Sequence, residues 1–145
     1  MTTITGMVEL KKAFQDMAKQ AEKNQTVALQ LVGQTYANDV KAIAPRKTTT
    51  YIRSIHVEPK QGTEMYQGNP AVFVGTDVVY GPQLEYGGVI KAKNAPYLVF
   101  QTEDGTWHSV KQVYQAPKPH FRPPLDQNFK KYQDIYLAAM GRGLV

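Results

Sequence analysis

The chain has no cysteine among its 145 residues. A disulfide framework, a thiolate zinc site and a cysteine nucleophile are therefore excluded. No apolar run approaches the roughly 20 residues that a membrane-spanning helix needs. The first residues also lack the basic cluster and apolar stretch of a secretory signal. We expect a folded protein that is made in a cytoplasm and has no membrane partner.

The common motifs of catalysis and nucleotide binding are missing too. There is no phosphate-binding glycine loop, no Gly-x-Ser-x-Gly elbow and no His-Glu-x-x-His zinc helix. His56 and His108 are expected within strands, and His120 lies in a proline-rich segment. Glu103 and Asp104 are adjacent carboxylates, but the glycine that follows places them at a hairpin tip. We expect no enzyme, no cofactor and no metal, with a small hydrolase built on His56 or His108 as one alternative.

The charge is positive but evenly spread. Seventeen basic and twelve acidic residues give 17 − 12 = +5. Residues 1–45 hold five basic residues against four acids, and residues 46–95 and 96–145 each hold six against four. No segment is a basic arm of the kind that clamps phosphates. A small basic nucleic-acid-binding module, with Tyr97 and Trp107 as stacking platforms, is therefore the second hypothesis rather than the first.

A single long helix is predicted over residues 5–44. Leu10, Phe14 and Met17 begin an apolar stripe with the three- and four-residue spacing of one helix face. Pro45 disfavours helical geometry at the residue before it and ends the helix. An unbroken helix of about 38 residues would be roughly 57 Å long, against a diameter of about 38 Å for a globule of this size.

An apolar stripe that overhangs its own domain needs a cover, and the usual cover is another subunit. The weak point of this prediction is Asn24, which begins a stretch of polar residues inside the helical pattern. A helical hairpin folded at Asn24 is the alternative, and it would hide the stripe within one molecule.

Short strands follow the helix. Alternating patterns predict strands at 51–58 and 71–75, with an exposed hairpin loop at 59–70 between them. The clearest hairpin is predicted over 97–113, with a turn at Asp104-Gly105 that needs positive φ at both central residues. Then comes a proline-rich strap, and an amphipathic helix whose inward residues should be Leu125, Phe129, Tyr132 or Ile135, and Tyr136 or Ala139.

The predicted fold class is α+β, in one domain of residues 1–145. Its parts are a long N-terminal helix at 5–44, antiparallel strands and loops at 51–113, a strap at 116–124 and a short closing helix at 125–140.

Three segments together resemble a known family. Ala44-Pro-Arg-Lys-Thr-Thr-Thr-Tyr-Ile-Arg-Ser-Ile55 is similar to an Ala-Pro, Thr-Gly, Leu-x-x-Ser-Ile pattern, except that threonine stands where glycine is usual. Val74 to Gly87 is similar to a Val-Gly strand end followed by Tyr-Ala-x-x-x-Glu-x-Gly. Pro119 to Asp126 resembles a Phe-x-x-Pro-Ala-Leu entry to a closing helix. This pattern is that of the neck, or tail-completion, proteins of long-tailed bacteriophages.

The resemblance implies a structural virion protein of the phage neck, made in the host cytoplasm. It implies a ring, of six subunits, between the DNA-filled head and the tail. The partners would be other copies of the chain, a head connector or stopper protein, and a tail terminator or tail tube protein. Genome DNA would pass through the lumen without being read.

Candidate interface residues come from three places. The helix stripe supplies apolar side chains, and a loop between Tyr80 and Gly88 holds aromatic and acidic ones. The strap supplies an aromatic ring, an arginine that can donate two parallel hydrogen bonds, and prolines that restrict the backbone. The candidates are Leu10, Phe14, Met17, Tyr80, Glu85, Tyr86, Phe121, Arg122 and Pro123.

Overall fold

The N-terminal helix α1 runs without a break from Met7 to Ile43 in a computed structural model, which describes residues 6–46 and 49–143. Its 37 residues make a rod of about 55 Å. The helix ends where the sequence predicts: Ala44 leaves the helical region, with ψ 147°, directly before Pro45. The long helix is confirmed and the helical hairpin is wrong. The predicted first residue, Thr5, lies outside the described residues.

The prediction of a strand over 51–58 is wrong in its first half. Residues Thr49–Ser54 form a short helix, α2, and the strand β1 covers only Ile55–Glu58. Tyr51 and Ile55 are both buried, and a spacing of four places two residues on the same side of a strand as well as of a helical turn, so the pattern does not distinguish the two conformations. Tyr51 and Ile55 form the centre of the core together with Val40 and Ala44.

The remaining strands pair as antiparallel two-stranded ribbons. Their bounds are β2 Glu64–Tyr66, β3 Asn69–Ala71, β4 Phe73–Thr76, β5 Gly88–Lys91, β6 Leu98–Gln101, β7 Trp107–Val110 and β8 Gln112–Gln115. The pairs are β1 with β4, β2 with β3, β5 with β8 and β6 with β7. The α+β class is therefore confirmed. The strand predicted over 71–75 is divided between β3 and β4, and the predicted loop at 59–70 contains the β2–β3 hairpin.

The hairpin predicted over 97–113 forms as β6 and β7, but its turn differs from the prediction. Only Gly105 has positive φ, at 83°, while Asp104 uses its carboxylate to accept hydrogen bonds from Thr102 and from the backbone N–H of Thr106. The side chain thus builds a wider turn. A turn with positive φ at both central residues occurs instead at Gln67-Gly68, between β2 and β3.

Two further predictions are corrected at helix starts. The supposed loop after Tyr80 is a short helix, α3, at Gly81–Tyr86. The closing helix α4 spans Arg122–Met140, so Arg122 and the prolines that follow it belong to the helix and not to a strap. In both cases proline occupies the first turn, where a missing N–H costs nothing and the fixed φ suits a helix.

The inward face of α4 also differs from the expected one. Tyr132 and Ala139 are buried as predicted, whereas Leu125 is 41% exposed and Phe129 64% exposed. Pro124 is the buried residue of the first turn. The prediction of the inward residues was partly wrong because α4 carries apolar side chains on two faces, and only one of these faces packs against α1.

Candidate assembly surfaces

The first part of α1 protrudes from the rest of the subunit. Every described residue up to Lys19 is exposed, and Asn24 is the first buried residue of α1. We call residues 7–20 the overhang. Its apolar side chains include Leu10, Phe14 and Met17, which are 52%, 62% and 49% exposed. We call these three residues the overhang stripe.

The overhang begins where α4 ends. The side-chain amide of Asn24 donates to the carbonyl oxygens of Met140, at 2.9 Å, and Arg142, at 2.6 Å. The amide of Gln20 in turn donates to Asn24 Oδ1 at 2.9 Å. Carbonyls at a helix C-terminus lack partners within the helix, so Asn24 serves as a cap supplied by another helix. The residue that weakened the helix prediction therefore has a tertiary role.

Polar contacts fix the middle of α4 on α1. Asp39 accepts hydrogen bonds from the Tyr132 hydroxyl at 2.7 Å and from Lys131 Nζ at 2.9 Å. Burial opposes ionisation of Asp39, but these two donors outweigh it, and its pKa lies below the usual value. Burial and the adjacent Asp39 carboxylate raise the pKa of Tyr132 to about 12. The pair therefore remains ionised aspartate and neutral tyrosine at neutral pH.

The carboxylate of Glu85 fixes the start of α4. It accepts the backbone N–H groups of His120 at 2.7 Å, Phe121 at 3.1 Å and Arg122 at 3.2 Å. Burial opposes the charge, but the three donors outweigh it and lower the pKa of Glu85. A carboxylate at a helix N-terminus also interacts favourably with the helix dipole. Glu85 is only 7% exposed, so it lies inside the subunit and not on an outer surface.

His120 connects this carboxylate to the core. Its Nδ1 lies 2.6 Å from the carbonyl oxygen of Lys118, which can only accept, so Nδ1 carries the hydrogen. Its Nε2 lies 2.6 Å from the Tyr51 hydroxyl, and which of the two atoms donates depends on whether Nε2 carries a hydrogen. Its Nδ1 also lies 3.0 Å from Glu85 Oε2. Both side chains are fully buried. Burial, followed by the nearby Glu85 charge, raises the pKa of Tyr51.

The three segments used for the family resemblance thus meet in one place. Tyr51 comes from the first, Glu85 from the second and His120 from the third. Sequence reasoning placed Glu85 correctly in a motif but assigned it to a subunit contact, because a carboxylate that caps a helix 35 residues later leaves no local signal.

The other candidates near this cluster differ in exposure. Tyr86 is 80% exposed and Tyr80 is 46% exposed, with its ring 5.8 Å from that of Tyr51. Phe121 is half-buried, and its carbonyl accepts the Tyr36 hydroxyl at 2.7 Å. Arg122 is exposed and forms an ion pair with Asp126 at 3.1 Å. Pro123, the last of the candidates, is half-buried in the first turn of α4. Tyr80 and Tyr86 remain available to a partner, whereas Arg122 is exposed but already paired.

A surface that sequence reasoning did not foresee lies at β5–β8. The two ribbons form one long bent hairpin, which we call the arm, because β5 leads into β6 and β7 leads into β8. Six residues, 92–97, separate β5 from β6, whereas only Lys111 separates β7 from β8. Burial alternates along β5 and β8, but Gly-Val-Ile-Lys and Gln-Val-Tyr-Gln do not alternate in polarity, so the sequence carries no clear signal for the inner pair.

The histidines form no metal-binding cluster in the described ranges. His56 Nε2 lies 3.2 Å from Glu58, and His108 stacks on Phe100 with ring centres 5.5 Å apart. Among residues 6–46 and 49–143, no three metal-ligating side chains lie together. In the same residues, no helix is long and apolar enough to cross a membrane.

Residues 8–87 match the family model described as Bacteriophage HK97-gp10, tail-component. The matched 80 residues are more than half of the chain and extend from α1 to the end of α3. The chain belongs to the HK97-gp10-like family of phage tail components. It is thus a bacteriophage virion component of a structural family. No curated protein and no solved structure matches the chain.

The matched range includes two of the three segments that carried the resemblance, together with the overhang stripe and Glu85. The third segment, the arm and α4 lie beyond residue 87. The membership in a phage tail-component family confirms the resemblance at that level, while the position in the neck and the ring stay predictions.

Proposed function

We propose that this tail component acts in the neck of the virion, where copies of it form a ring that joins the DNA-filled head to the tail. The observation that carries the proposal is the overhang stripe. Leu10, Phe14 and Met17 are about half exposed on a helix that extends beyond its own subunit. Exposed apolar side chains grouped on one face mark a protein interaction site.

A ring requires two different faces on each subunit, since each copy contacts one neighbour with each. The overhang supplies one face at one end of α1. Tyr80, Tyr86 and the arm lie on other elements and supply candidates for the second face. The number of subunits that we propose is six, and further surfaces would contact a head connector or stopper protein and a tail terminator or tail tube protein.

DNA would pass through the lumen of the ring without being read. Basic and acidic residues are spread evenly along the chain, and two of the exposed cations in α4 are already paired: Arg122 with Asp126 and Lys131 with Asp39. A strong phosphate clamp would show binding that weakens steeply with salt. We expect no stable complex with duplex DNA at physiological salt; tight, salt-sensitive binding would instead support the nucleic-acid-binding module.

A nonsense mutation in the gene tests the role directly. Lysates of the mutant phage should contain filled heads and complete tails that are not joined, and a wild-type copy supplied in trans should restore joined particles. Electron microscopy counts the three species. A complementing copy with Lys12→Ser, on the polar face of α1, serves as a matched control for one with Phe14→Ser in the stripe. Joined, infectious particles without the protein would contradict the proposal.

A further inference from the structure

The overhang stripe continues the face of α1 that α4 covers. Asn24 and Asp39 both contact α4. At 100° per residue, Asp39 lies about 60° around the helix from Asn24. The three residues of the overhang stripe lie about 20° to 80° from Asn24 in the same direction. The stripe and the α4 contact therefore form one seam along α1, and α4 covers only the C-terminal part of this seam.

The direction of α4 limits what can cover the rest of the seam. α4 is antiparallel to α1: it starts near Tyr36, whose hydroxyl donates to the Phe121 carbonyl, and it ends at Asn24. A parallel copy of α1 on the seam would run into α4 with its residues beyond the overhang. An antiparallel copy instead points its N-terminus at the end of α4, an arrangement in which the dipoles of the two helices attract each other.

The seam of the overhang has the pattern of a helix pair. Met7 and the overhang stripe repeat at alternating spacings of three and four, the pattern with which two helices interlock their side chains. Ala13 and Ala18 flank the stripe on its two sides, and small flanking side chains allow two helices to approach closely. Lys11 is the charged side chain nearest to the seam, while Glu9, Lys12, Asp16 and Lys19 lie further round the helix.

We propose that the overhangs of two free copies pair antiparallel and cover each other's stripes, so that the protein is stored as a symmetric dimer before it enters the ring. Leu10 of each copy packs beside Phe14 of the other, and Met17 packs beside Met7. This register leaves the contact between Asn24 and the end of α4 undisturbed. The inference goes beyond the proposed function, since it concerns the free protein, and entry into the ring replaces the contact.

A second copy is the occupant because the length of uncovered seam is the same in both copies. Residues 7–17 of each helix face residues 7–17 of the other over about 16 Å. A contact of one patch with itself closes with two copies, so both stripes leave the water together. The two Lys11 side chains lie on the same side of the pair, near its two-fold axis, and repel each other. The dimer is therefore weaker at low salt, which keeps it reversible.

The absence of cysteine allows a direct test by disulfide crosslinking. One preparation carries Met7→Cys and a second carries Met17→Cys. These two positions face each other in the antiparallel pair, whereas two copies of the same position are about 15 Å apart. After mixing and mild oxidation, a covalent dimer should form in the mixture and in neither preparation alone. Lys12→Cys replaces Met7→Cys in the matched control and should give no dimer.

Three crosslinking results would overturn the proposal. Covalent dimers within either single preparation would show a parallel pair. A crosslink of Met17→Cys with Phe129→Cys, on the outer side of α4, would show that α4 of another copy covers the stripe. No crosslink in the mixture would show that the stripes do not meet. Circular dichroism and thermal unfolding verify that each variant folds.

Sedimentation over a range of protein concentrations measures the dimer without a crosslink. Phe14→Ser should raise its dissociation constant at least about tenfold, because each dimer loses two buried rings. Lys12→Ser is the matched control and should leave the constant unchanged, and Lys11→Ala should lower it at low salt. A wild-type protein that stays monomeric at its highest soluble concentration would overturn the proposal.

The storage role is tested with purified protein added to a lysate of the nonsense mutant. The oxidised dimer of Met7→Cys with Met17→Cys should join few heads to tails, and reduction of its disulfide should restore joining. Equal joining before and after reduction would overturn the storage role and leave the neck role intact. Heads and tails that stay separate after wild-type protein is added would instead overturn the neck role, whatever the state of the dimer.

Discussion

The side-chain amide of Asn24 donates to the carbonyl oxygen of Arg142 at 2.6 Å, across 118 positions of the chain. This contact marks the point at which α1 loses its cover, because α4 ends there and the overhang continues alone. It also explains how a polar residue can be buried in the middle of an amphipathic helix. The same amide group satisfies two carbonyls of the α4 terminus and accepts from Gln20.

Replacing Asn24 with alanine should loosen the end of α4 without melting α1. We expect the free energy of unfolding to fall by about 1 to 3 kcal/mol, because two part-buried hydrogen bonds to carbonyls at the end of α4 are lost. Hydrogen exchange should accelerate at the last-turn amides of α4. Lys23→Ala, an exposed neighbour, is the control and should change stability by less than about 0.5 kcal/mol. Equal losses in both variants would show that the cap contributes nothing specific.

Glu85→Gln should destabilise the fold by about 1 to 3 kcal/mol, because the charge that three backbone N–H groups stabilise is lost. The folded-state pKa of Glu85 is lowered. Its contribution is therefore complete above the unfolded value of about 4.3 and disappears as the pH falls through the folded value.

The difference in unfolding free energy between wild type and Glu85→Gln should consequently shrink between pH 5 and acid. Chemical denaturation at several pH values measures it, and the exposed Glu22→Gln gives the reference for an ordinary surface glutamate. A difference that stays constant over this pH range would mean that Glu85 does not act through its charge.

Gly87 closes the Glu-x-Gly motif for a steric reason. Its φ is +68°, and an added Cβ would lie 2.6 Å from the carbonyl oxygen of Gln115 and 2.7 Å from the nitrogen of Pro117. We expect Gly87→Ala to cost about 2 to 4 kcal/mol, from backbone strain and displaced neighbours. Gly62→Ala has a similar φ of +79° with open space around it, so it isolates the strain. Thermal unfolding of both variants should show the larger loss at Gly87.

Phe14→Ser separates assembly from folding. The ring of Phe14 is 62% exposed in the single subunit, so its removal should leave the thermal stability of the subunit within about 0.5 kcal/mol of wild type. Sedimentation or mass photometry should nevertheless show weaker assembly. A large drop in subunit stability would place Phe14 in the fold rather than in a contact between subunits.

Local patterns predicted the long helix well, since its length and its end at Pro45 depend on periodicity and on one proline. They did not predict the features whose structure depends on contacts with residues far away in the sequence. Tyr51 lies in a helix, where its hydroxyl contacts His120 in the core. Glu85 is buried because its carboxylate accepts backbone N–H groups at the start of α4. The buried face of α4 is a further example. Leu125 and Phe129 have the spacing of one helix face, but α1 packs against the face that contains Tyr132.

The overhang stripe itself was predictable in residue and in exposure. The arm was not predictable, because it requires the pairing of β5 with β8 across more than twenty residues. Six residues separate β5 from β6 but only one separates β7 from β8, so the register cannot be counted from the hairpin turn. Alternation identifies strands but not their partners.

Labelling of a Met17→Cys variant by a maleimide tests the central claim most directly, namely that other subunits cover the overhang stripe in the particle. The cysteine should react rapidly in dilute free protein and at least about tenfold more slowly in intact particles, with Lys12→Cys as the control for the polar face of the helix. Mass spectrometry of the α1 peptide quantifies both. Equal reaction rates of Met17→Cys in the free protein and in the particle would contradict the account.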